Sequence, residues 1–470
     1  MPTRPFQKVL VANRGEIAIR ILRAASELEL RTVAIYTRED RYSLHRYKAD
    51  ESYEIGAADE PLKPYLDIDA IIACAKDCGA EAIHPGYGFL SESLELATRC
   101  EEEDLVFIGP SPEAMAQMGD KRMTKELARR CDVPVIEDSR ELITDFAVAK
   151  TEAKRIGYPI MVKASSGGGG RGMRVVHKPT QLKRAIQEAS SEAERAFGDG
   201  SVFLERFVER PKHIEVQLLG DTHGNLVHLY ERDCSVQRRF QKVVEVAPCL
   251  TLPEFVKQKM YDYAIRLGKE SGYSCAGTAE FLVDKDYNIF FIEVNPRIQV
   301  EHTITEEVTG IDIVRSQLLI CMGYRLSDKE LRIANQENIL LSGCAIQCRV
   351  TTEDPSNDFK PDYGTLTAYR SASGFGIRLD AGSAYPGSVI SPFFDSLLVK
   401  VTAGGRTLKG AAQRLHRALR EFRVRGVKTN IDFLLNLLRD PDFLSGEYTV
   451  EYFKEHPELF DLPVRKDRGT

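Results

Sequence analysis

Short apolar runs separated by amphipathic stretches dominate residues 1–119. KVLVAN, then a stretch from about Gly15 to Glu29 with apolar residues at helical spacing, then RTVAIYT form a β-α-β pattern. A helix at Ile68–Cys78, the strand AEAIHPG, a helix at Glu92–Glu103 and the strand LVFIGPS continue the alternation. The pattern predicts an α/β, doubly wound, Rossmann-like domain over 1–119. The first turn reads NRGE, so the dinucleotide fingerprint is absent and a dehydrogenase is disfavoured.

A glycine run is the main feature of the second predicted unit, 120–206. A connecting helix at 120–136 and another from about Thr144 precede the strand YPIMVKAS and the run SGGGGRGMRVV. No helix and no Lys-Ser/Thr follow the glycines, which excludes a Rossmann turn and a Walker loop. A glycine loop between two strands can close over phosphates with its N–H groups, and Lys163 would point a cation at them. A plain flexible hairpin is the alternative.

Two strands with a carboxylate each mark the third unit, 207–456. TAEFLV and IFFIEV flank the polar connection Lys285–Asn288, which predicts a hairpin. Symmetric pairing puts Glu280 opposite Glu293, where like charges repel unless a cation lies between them. Oxygen ligands suit Mg²⁺ or Mn²⁺. The alternative is a hairpin whose carboxylates face solvent.

The residues after this hairpin alternate in polarity. The polar positions are Glu293, Asn295, Arg297, Gln299 and Glu301. Pro296 predicts the end of the strand. In an extended segment Glu293 and Glu301 would be roughly 26 Å apart, too far for one ion. We therefore predict a metal subsite at Glu280, Glu293 and Asn295, beside an anion or acid–base subsite at Arg297, Gln299 and Glu301.

Basic residues are dense just upstream, in ERDCSVQRRFQKVVE. Strand alternation through this stretch puts Arg238, Phe240 and Lys242 on one side, although a solvated edge strand would look similar. Beyond the hairpin, a helix at 311–322, punctuated strands and a helix at 408–422 predict a C-terminal antiparallel α+β region. Residues 457–470 are predicted to be a linker-like tail.

Composition narrows the classes of function. The net charge of −6 disfavours nucleic acid and anionic membrane as partners, and no apolar run reaches the length of a membrane span. The N-terminal residues lead straight into a strand, so no signal peptide is expected. Ten cysteines without a C-x-x-C disfavour zinc and disulfide frameworks and favour a cytoplasmic protein.

Several motifs together resemble one family, over nearly the whole chain and in order. They are VANRGEIAIR, HPGYGFLSES, MGDK, KAS with GGGGRGMRVV, ERDCSVQRR, QKVVE, GTAEF, FIEVNPRIQVEH, CRVTTEDP and GVKTN. This set resembles biotin carboxylase, an ATP-grasp enzyme. Two flanking stretches are more similar to the N-terminal domain of pyruvate carboxylase than to a free biotin carboxylase subunit of an acetyl-CoA or acyl-CoA carboxylase. They are YTREDRYSLHRYKADESY and FLSGEYTVEYFKEHPELF.

The resemblance implies a reaction and a role for each matching residue. Biotin carboxylases use MgATP to activate bicarbonate as carboxyphosphate and then carboxylate biotin N1′. It implies that Glu280, Glu293 and Asn295 hold Mg²⁺ (or Mn²⁺). The ATP residues it implies are Lys121, Lys163, the lid glycines Gly168, Gly169 and Gly170, Glu205, His213, Gln237 and Leu282. The bicarbonate residues it implies are Arg297, Gln299, Val300 and Lys242, with Glu301 as general base. Arg349 would stabilise the biotin enolate, with Tyr87 near the biotin ring.

The sequence departs from the family pattern at a few positions. Phe240 stands where the family usually has an ATP-contacting His, so nucleotide affinity could be weaker. Ser166 and the pair Arg206–Phe207 are mild changes. No biotinyl-lysine motif Met-Lys-Met is present, so biotin is expected on a separate carrier domain or chain, with a carboxyltransferase in trans or in a longer chain. A homodimer or tetramer is expected. Another ATP-grasp ligase and a degenerate nucleotide-binding module are the remaining alternatives.

Overall fold

The computed structural model describes residues 5–57, 60–119, 121–165 and 173–462, without the side chains of 121, 196 and 197. Its larger sheets are a parallel sheet near the N-terminus, a small antiparallel sheet after it, and a long antiparallel sheet that runs through the rest of the chain.

The parallel sheet has the strand order β3-β2-β1-β4-β5. Its strands are β1 (Lys8–Val11), β2 (Arg31–Tyr36), β3 (Glu51–Glu54), β4 (Ala82–His84) and β5 (Val106–Phe107). The helices of this region are α1 (Gly15–Glu27), α2 (Ile68–Asp77), α3 (Leu94–Glu102), α4 (Pro112–Gly119) and α5 (Lys121–Arg130). Val9 packs in the same cluster as α1, whereas Leu10 packs with α2 and α3. Helices therefore cover both faces, as the β-α-β pattern predicts.

The small sheet has the order β7-β6-β8. Its elements are α6 (Phe146–Ile156), β6 (Ile160–Ala164), β7 (Arg174–Val176), α7 (Leu182–Phe197) and β8 (Val202–Arg206). β6 and β7 pair antiparallel on either side of the glycine run, so the strands predicted to flank that run are confirmed. Gly168, Gly169 and Gly170 lie outside the described residues, and so does the side chain of Lys121.

The long sheet joins the residues of the predicted metal site to the C-terminal region. Its order is β13-β12-β9-β10-β11-β14-β21-β19, and each neighbouring pair is antiparallel. Between residues 212 and 321 the strands of this sheet and the intervening helices are β9 (Lys212–Gly220), β10 (Leu226–Arg238), β11 (Gln241–Ala247), α8 (Glu254–Glu270), β12 (Cys275–Val283), β13 (Ile289–Asn295), α9 (His302–Thr309) and α10 (Ile313–Cys321).

The C-terminal elements continue this sheet and add short strand pairs. The strands are β14 (Cys344–Thr351), β15 (Glu353–Asp354), β16 (Lys360–Pro361), β17 (Gly364–Thr365), β18 (Ala368–Arg370), β19 (Ile377–Ala381), β20 (Val389–Ile390), β21 (Leu397–Gly405) and β22 (Arg423–Arg425). The helices are α11 (Leu408–Glu421), α12 (Ile431–Leu437), α13 (Pro441–Ser445) and α14 (Tyr452–Glu455). The predicted fold class is confirmed: an α/β N-terminal unit is followed by antiparallel sheet with helices.

The predicted hairpin is confirmed, and two local predictions are wrong. β12 pairs with β13, Glu280 lies opposite Glu293, and β13 ends at Asn295, before Pro296. The single strand predicted through Arg238–Lys242 is instead a tight hairpin, because Arg239 and Phe240 adopt φ of 50° and 65°. The segment after Pro296 is not extended either, since the chain turns and Glu301 becomes the N-cap residue of α9.

Two further observations concern compartment and membrane. None of the helices in the described ranges is both long enough and apolar enough to cross a bilayer. All ten cysteines are free thiols.

Candidate active site

A cavity of about 1460 Å³ opens where the sheets meet. Its walls come from the N-terminal loops, from β6 and β8, from β12 and β13, and from β14 with the loop before β21. The predicted site residues that line it are Tyr87, Lys163, Glu205, His213, Gln237, Lys242, Glu280, Leu282, Glu293, Asn295, Arg297, Gln299, Val300, Glu301 and Arg349. Residues up to 262 positions apart in sequence therefore share one space.

Lys242 lies at the centre of a buried carboxylate cluster. Its Nζ donates to Glu215 Oε2 at 2.5 Å, to Glu301 Oε1 at 2.7 Å and to Glu280 Oε1 at 2.9 Å. Burial lowers the pKa of Lys242, but the three carboxylates outweigh it and raise the pKa well above its usual value. The ammonium is thus charged at every physiological pH. It also brings the two predicted subsites together, because Glu280 and Glu301 bind the same atom.

Glu301 is held by cations on both oxygens. Arg349 donates to its Oε2 at 3.0 Å, while Lys242 holds Oε1. Burial raises the pKa of Glu301, but Lys242, Arg349 and Arg232 overcome that effect and hold it well below its usual value. Arg349 also donates to Glu245 at 2.7 Å. The carboxylate is therefore ionised and able to accept a proton.

Glu280, a predicted metal ligand, contacts a histidine and an amide in addition to Lys242. His213 Nε2 lies 2.7 Å from its Oε2, and the Asn295 amide donates to its Oε1 at 3.0 Å. Burial raises its pKa, but Lys242 and His213 outweigh burial and lower it. Glu280 is 6% exposed, so the solvent-facing alternative is wrong for Glu280, whereas Glu293 is half-buried. Two carboxylates that lie opposite each other across the hairpin fit a hard divalent cation such as Mg²⁺.

The opposite end of the cavity has the reverse arrangement of charge. Glu205, at 3% exposure, accepts from Lys125 at 2.6 Å and forms an ion pair with Lys163. Lys125 also donates to Asp138 at 2.9 Å. Burial raises the pKa of Glu205, but Lys163 and Lys125 overcome it and lower the pKa. Two ammonium groups therefore flank a single carboxylate, an arrangement that suits phosphate.

The anion subsite is built around Arg297. Its Nε donates to Glu92 at 2.6 Å, NH1 to Gln299 Oε1 at 3.3 Å and NH2 to Asn295 Oδ1 at 3.1 Å. Gln299 is 5% exposed, and its Nε2 is buried without a hydrogen-bond acceptor among the described residues. An unpaired buried donor next to a guanidinium favours a bound anion.

Some groups of the site were not predicted. Glu215, Lys125, Glu92, Glu245, Glu16 and Lys400 all contact predicted residues. Glu215 and Glu245 offered a local signal, since the first is an acidic residue in the apolar strand KHIEVQLLG and the second lies on β11 together with Lys242. The other four reach the site from distant elements, so spacing along the chain could not reveal them.

Three family profiles match consecutive parts of the chain. "Biotin carboxylase, N-terminal domain" matches residues 5–115, "Carbamoyl-phosphate synthase L chain, ATP binding domain" matches 120–329, and "Biotin carboxylase C-terminal domain" matches 347–455.

Relatives agree with these profiles. Pyruvate carboxylase of Staphylococcus aureus is 54% identical over 467 residues, which is 99% of this chain and 40% of that protein. The chain thus spans about two fifths of the curated relatives it matches.

Solved structures of similar length match almost end to end. The biotin carboxylase domain dimer of Hydrogenobacter thermophilus 2-oxoglutarate carboxylase, in complex with MgADP, ADP and bicarbonate, is 45% identical with a TM-score of 0.93, covering 97% of this chain and 99% of that one. Biotin carboxylase of Campylobacter jejuni is 41% identical with a TM-score of 0.91, covering 96% and 99%. The predicted resemblance is confirmed, and the chain belongs to the biotin carboxylase family.

Proposed function

We propose that this chain carboxylates biotin N1′ with bicarbonate at the expense of MgATP, through carboxyphosphate. The observation that carries the proposal is the contact set of Glu301. Lys242 binds one of its oxygens and also binds Glu280, while Arg349 binds the other. One base thus lies between a group suited to a metal–phosphate complex and an arginine able to hold a ureido oxygen.

ATP would bind at the end of the cavity that contains Glu205. The residues proposed to contact it are Lys163, Glu205, His213, Gln237 and Leu282, together with the predicted Lys121 and the lid glycines. Glu280 and Glu293, with Asn295 beside them, would hold Mg²⁺, which neutralises charge that develops on the transferred phosphoryl group. Catalysis of this step is mainly positioning and electrostatic stabilisation, and the two lysines at Glu205 provide both for the phosphates.

Bicarbonate would bind at Arg297, Gln299, Lys242 and the Val300 backbone. Glu301 takes its proton, so that a bicarbonate oxygen attacks the γ-phosphorus and ADP leaves. The C–O bond of carboxyphosphate then breaks, and the released phosphate takes the proton from biotin N1′ while Arg349 stabilises the negative charge on the ureido oxygen. N1′ then forms the new C–N bond to the carboxyl carbon. Tyr87 packs beside the ring.

The chain is further proposed to act within a pyruvate-carboxylase-like enzyme. Identity is 54% to a pyruvate carboxylase, against 41% to the Campylobacter biotin carboxylase. Biotin then arrives on a separate carrier domain and leaves to a carboxyltransferase domain. A homodimer or tetramer and a cytoplasmic location complete the proposal. A dimer of the related domain supports the first, and ten free thiols support the second.

The test measures ATP cleavage by the chain with and without bicarbonate and free biotin. Cleavage is expected to rise with both substrates and to collapse by about 10²- to 10³-fold in Arg349→Ala, because an oxyanion partner is lost. Arg417→Ala, which removes an exposed ion pair on α11, is the matched control and should keep full activity.

Two outcomes would contradict the proposal. Full biotin-dependent turnover in Arg349→Ala would overturn the role given to that arginine. A rate of ATP cleavage that does not change when bicarbonate is added would overturn the proposed function and favour another ATP-grasp ligase.

A further inference from the structure

A fully buried lysine lies directly behind the anion subsite. The side chain of Lys400, on β21, has 0% exposure. Its Nζ donates to the Val300 carbonyl at 2.9 Å and lies 3.1 Å from Glu16 Oε2. An ammonium without access to water is costly to bury, so these partners must hold it in place.

Strand register places Lys400 beside the arginine proposed to meet biotin. In the antiparallel pairing of β14 with β21, Lys400 lies directly opposite Arg349. Directly opposed residues project from the same face of a sheet. The two neighbouring cations accordingly reach two consecutive residues, Lys400 the Val300 carbonyl and Arg349 the Glu301 carboxylate.

The contact with Val300 bears on the proposed base. The Val300 carbonyl belongs to the peptide unit that carries the Glu301 N–H, so Lys400 fixes the plane of that unit. Glu301 itself is the N-cap residue of α9 and makes no side-chain capping hydrogen bond there. Its carboxylate is therefore left to the site, and its backbone is anchored by a group from another part of the chain.

The partner of Lys400 leads to the other substrate. Glu16, on α1, is 7% exposed and accepts from the Tyr87 hydroxyl. Tyr87 lines the cavity, and its ring centroid lies 5.9 Å from Lys400 Nζ. The chain of contacts Val300–Lys400–Glu16–Tyr87 thus joins four separate regions of the sequence along one wall of the cavity.

We infer that Lys400 and Glu16 form a positioning pair that holds the Val300–Glu301 peptide and Tyr87 in fixed relation. Lys400 is fully buried and Glu16 lines the cavity beside Tyr87, and the pair sets the distance between the base and the biotin ring. The pair governs the steps that use Glu301 and the biotin ring and leaves nucleotide binding unchanged. This inference rests on the proposed biotin carboxylation.

The experiment compares Lys400→Met, Glu16→Gln and the double variant in the full chain. Turnover number, KM for MgATP and melting temperature are measured for each. Lys400→Met should lower kcat by about 10- to 100-fold, since a small displacement of a reacting group has that effect, while KM for MgATP changes less than about 2-fold. Its melting temperature should also fall, because Glu16 loses its cation.

The double variant separates positioning from stability. Removing both charges should recover melting temperature, whereas kcat should stay low because the Val300 carbonyl still has no donor. Lys212→Met is the matched control. Lys212 is a buried lysine bound to Asp233 and to two carbonyls outside this wall. It should lower melting temperature and keep kcat.

Each contrary result has a distinct meaning. Recovery of kcat together with melting temperature in the double variant would show a purely structural pair and overturn the inference. If the wild-type chain is active and Lys400→Met has the same kcat, the positioning role of the pair is overturned while the proposed function stands. A wild-type chain that carboxylates no biotin would overturn the proposed function and this inference with it.

Discussion

The two ends of the cavity are built from the same residue types in opposite proportion. At one end Lys242 is surrounded by Glu215, Glu280 and Glu301. At the other, Glu205 is surrounded by Lys125 and Lys163. With the described groups bonded to them counted, the first cluster has four carboxylates (with Glu245) against three cations (with Arg232 and Arg349), and the second has two carboxylates (with Asp138) against three cations (with Arg129). The first cluster therefore has an excess of negative charge, and the second an excess of positive charge.

This difference indicates what each end can accept. Surplus carboxylates attract a divalent cation, while surplus ammonium groups attract phosphate oxygens. A metal–nucleotide complex carries both charges in order along its length. The cavity thus orients its ligand by charge before any shape-specific contact forms. Substitution of Lys242 or of Glu205 should therefore affect ligand binding at one end of the cavity only.

The largest effect is expected for Lys242→Met. Glu215 and Glu301 keep Arg232 and Arg349, while Glu280 keeps only its contacts with His213 and Asn295, and the cluster loses the ammonium that all three share. Urea denaturation should show a loss of about 3–5 kcal/mol in the free energy of unfolding, as for a broken buried ion pair. Biotin-dependent ATP cleavage should vanish. Lys212→Met, which leaves a single buried Asp233, should retain activity, and equal inactivation of both variants would contradict the role of Lys242.

A smaller effect is expected for Glu205→Gln at the nucleotide end. Lys125 keeps Asp138, so the free energy of unfolding should fall by about 1.5–3 kcal/mol, the range for a charged hydrogen bond. KM for MgATP should rise about 10-fold, which is close to 1.4 kcal/mol, because Lys163 and Lys125 lose the carboxylate that holds them in position. KM for bicarbonate should stay constant. Glu137→Gln removes an exposed ion pair with Arg155 nearby and should change neither. A rise in KM for bicarbonate would show that the ends are not independent.

The smallest expected effect is a difference in pH dependence between these two variants. In the wild type the pKa values of Glu205, Glu280 and Glu301 are lowered from 4.5, so their stabilising contribution is present above pH 4.5 and lost as pH falls further. Without Lys242, Glu280 has no bonded lysine or arginine among the described residues, so burial should raise its pKa above 4.5. Glu280 then contributes stability to the variant below that pKa and ceases to do so as pH rises.

Stability curves of the two variants should therefore diverge from each other. The gap between wild type and Lys242→Met should begin to close above pH 5 as the solution is acidified, by about 1 kcal/mol. The gap for Glu205→Gln should stay constant until pH falls below 4.5, since no carboxylate there loses its only cation. Parallel curves from pH 7 to 5 would contradict the assignment of excess negative charge to the Lys242 cluster.

Local pattern was enough to predict the part of the site that lies on one hairpin. Glu280 and Glu293 are opposed because apolar strands and a short polar connection define the register. The strand ends before Pro296 as expected, because proline has no backbone N–H to donate to the neighbouring strand. The N-terminal β-α-β units followed from periodicity alone, with α1 two residues shorter than predicted.

The remainder depends on contacts that sequence spacing does not encode. Helix α8 was not predicted, although Val256, Met260, Ala264 and Leu267 are buried at helical spacing. The strand-rich segments on both sides favoured more strand. The turn that brings Glu301 back to Lys242 depends on Arg349 and Lys400, which lie on strands that pair only in the folded protein.

The walls of the cavity come from the small sheet, the long sheet and the N-terminal loops, so ligand affinity and conformational stability must be thermodynamically linked. A nucleotide present at 100 times its dissociation constant adds about 2.7 kcal/mol to the native state. Because β8, β13 and β14 each contribute part of the binding surface, that energy is shared by regions that would otherwise open separately. Amide exchange in the C-terminal strands should slow when nucleotide binds near Glu205, and the enzyme would then unfold as one cooperative unit only in its liganded form.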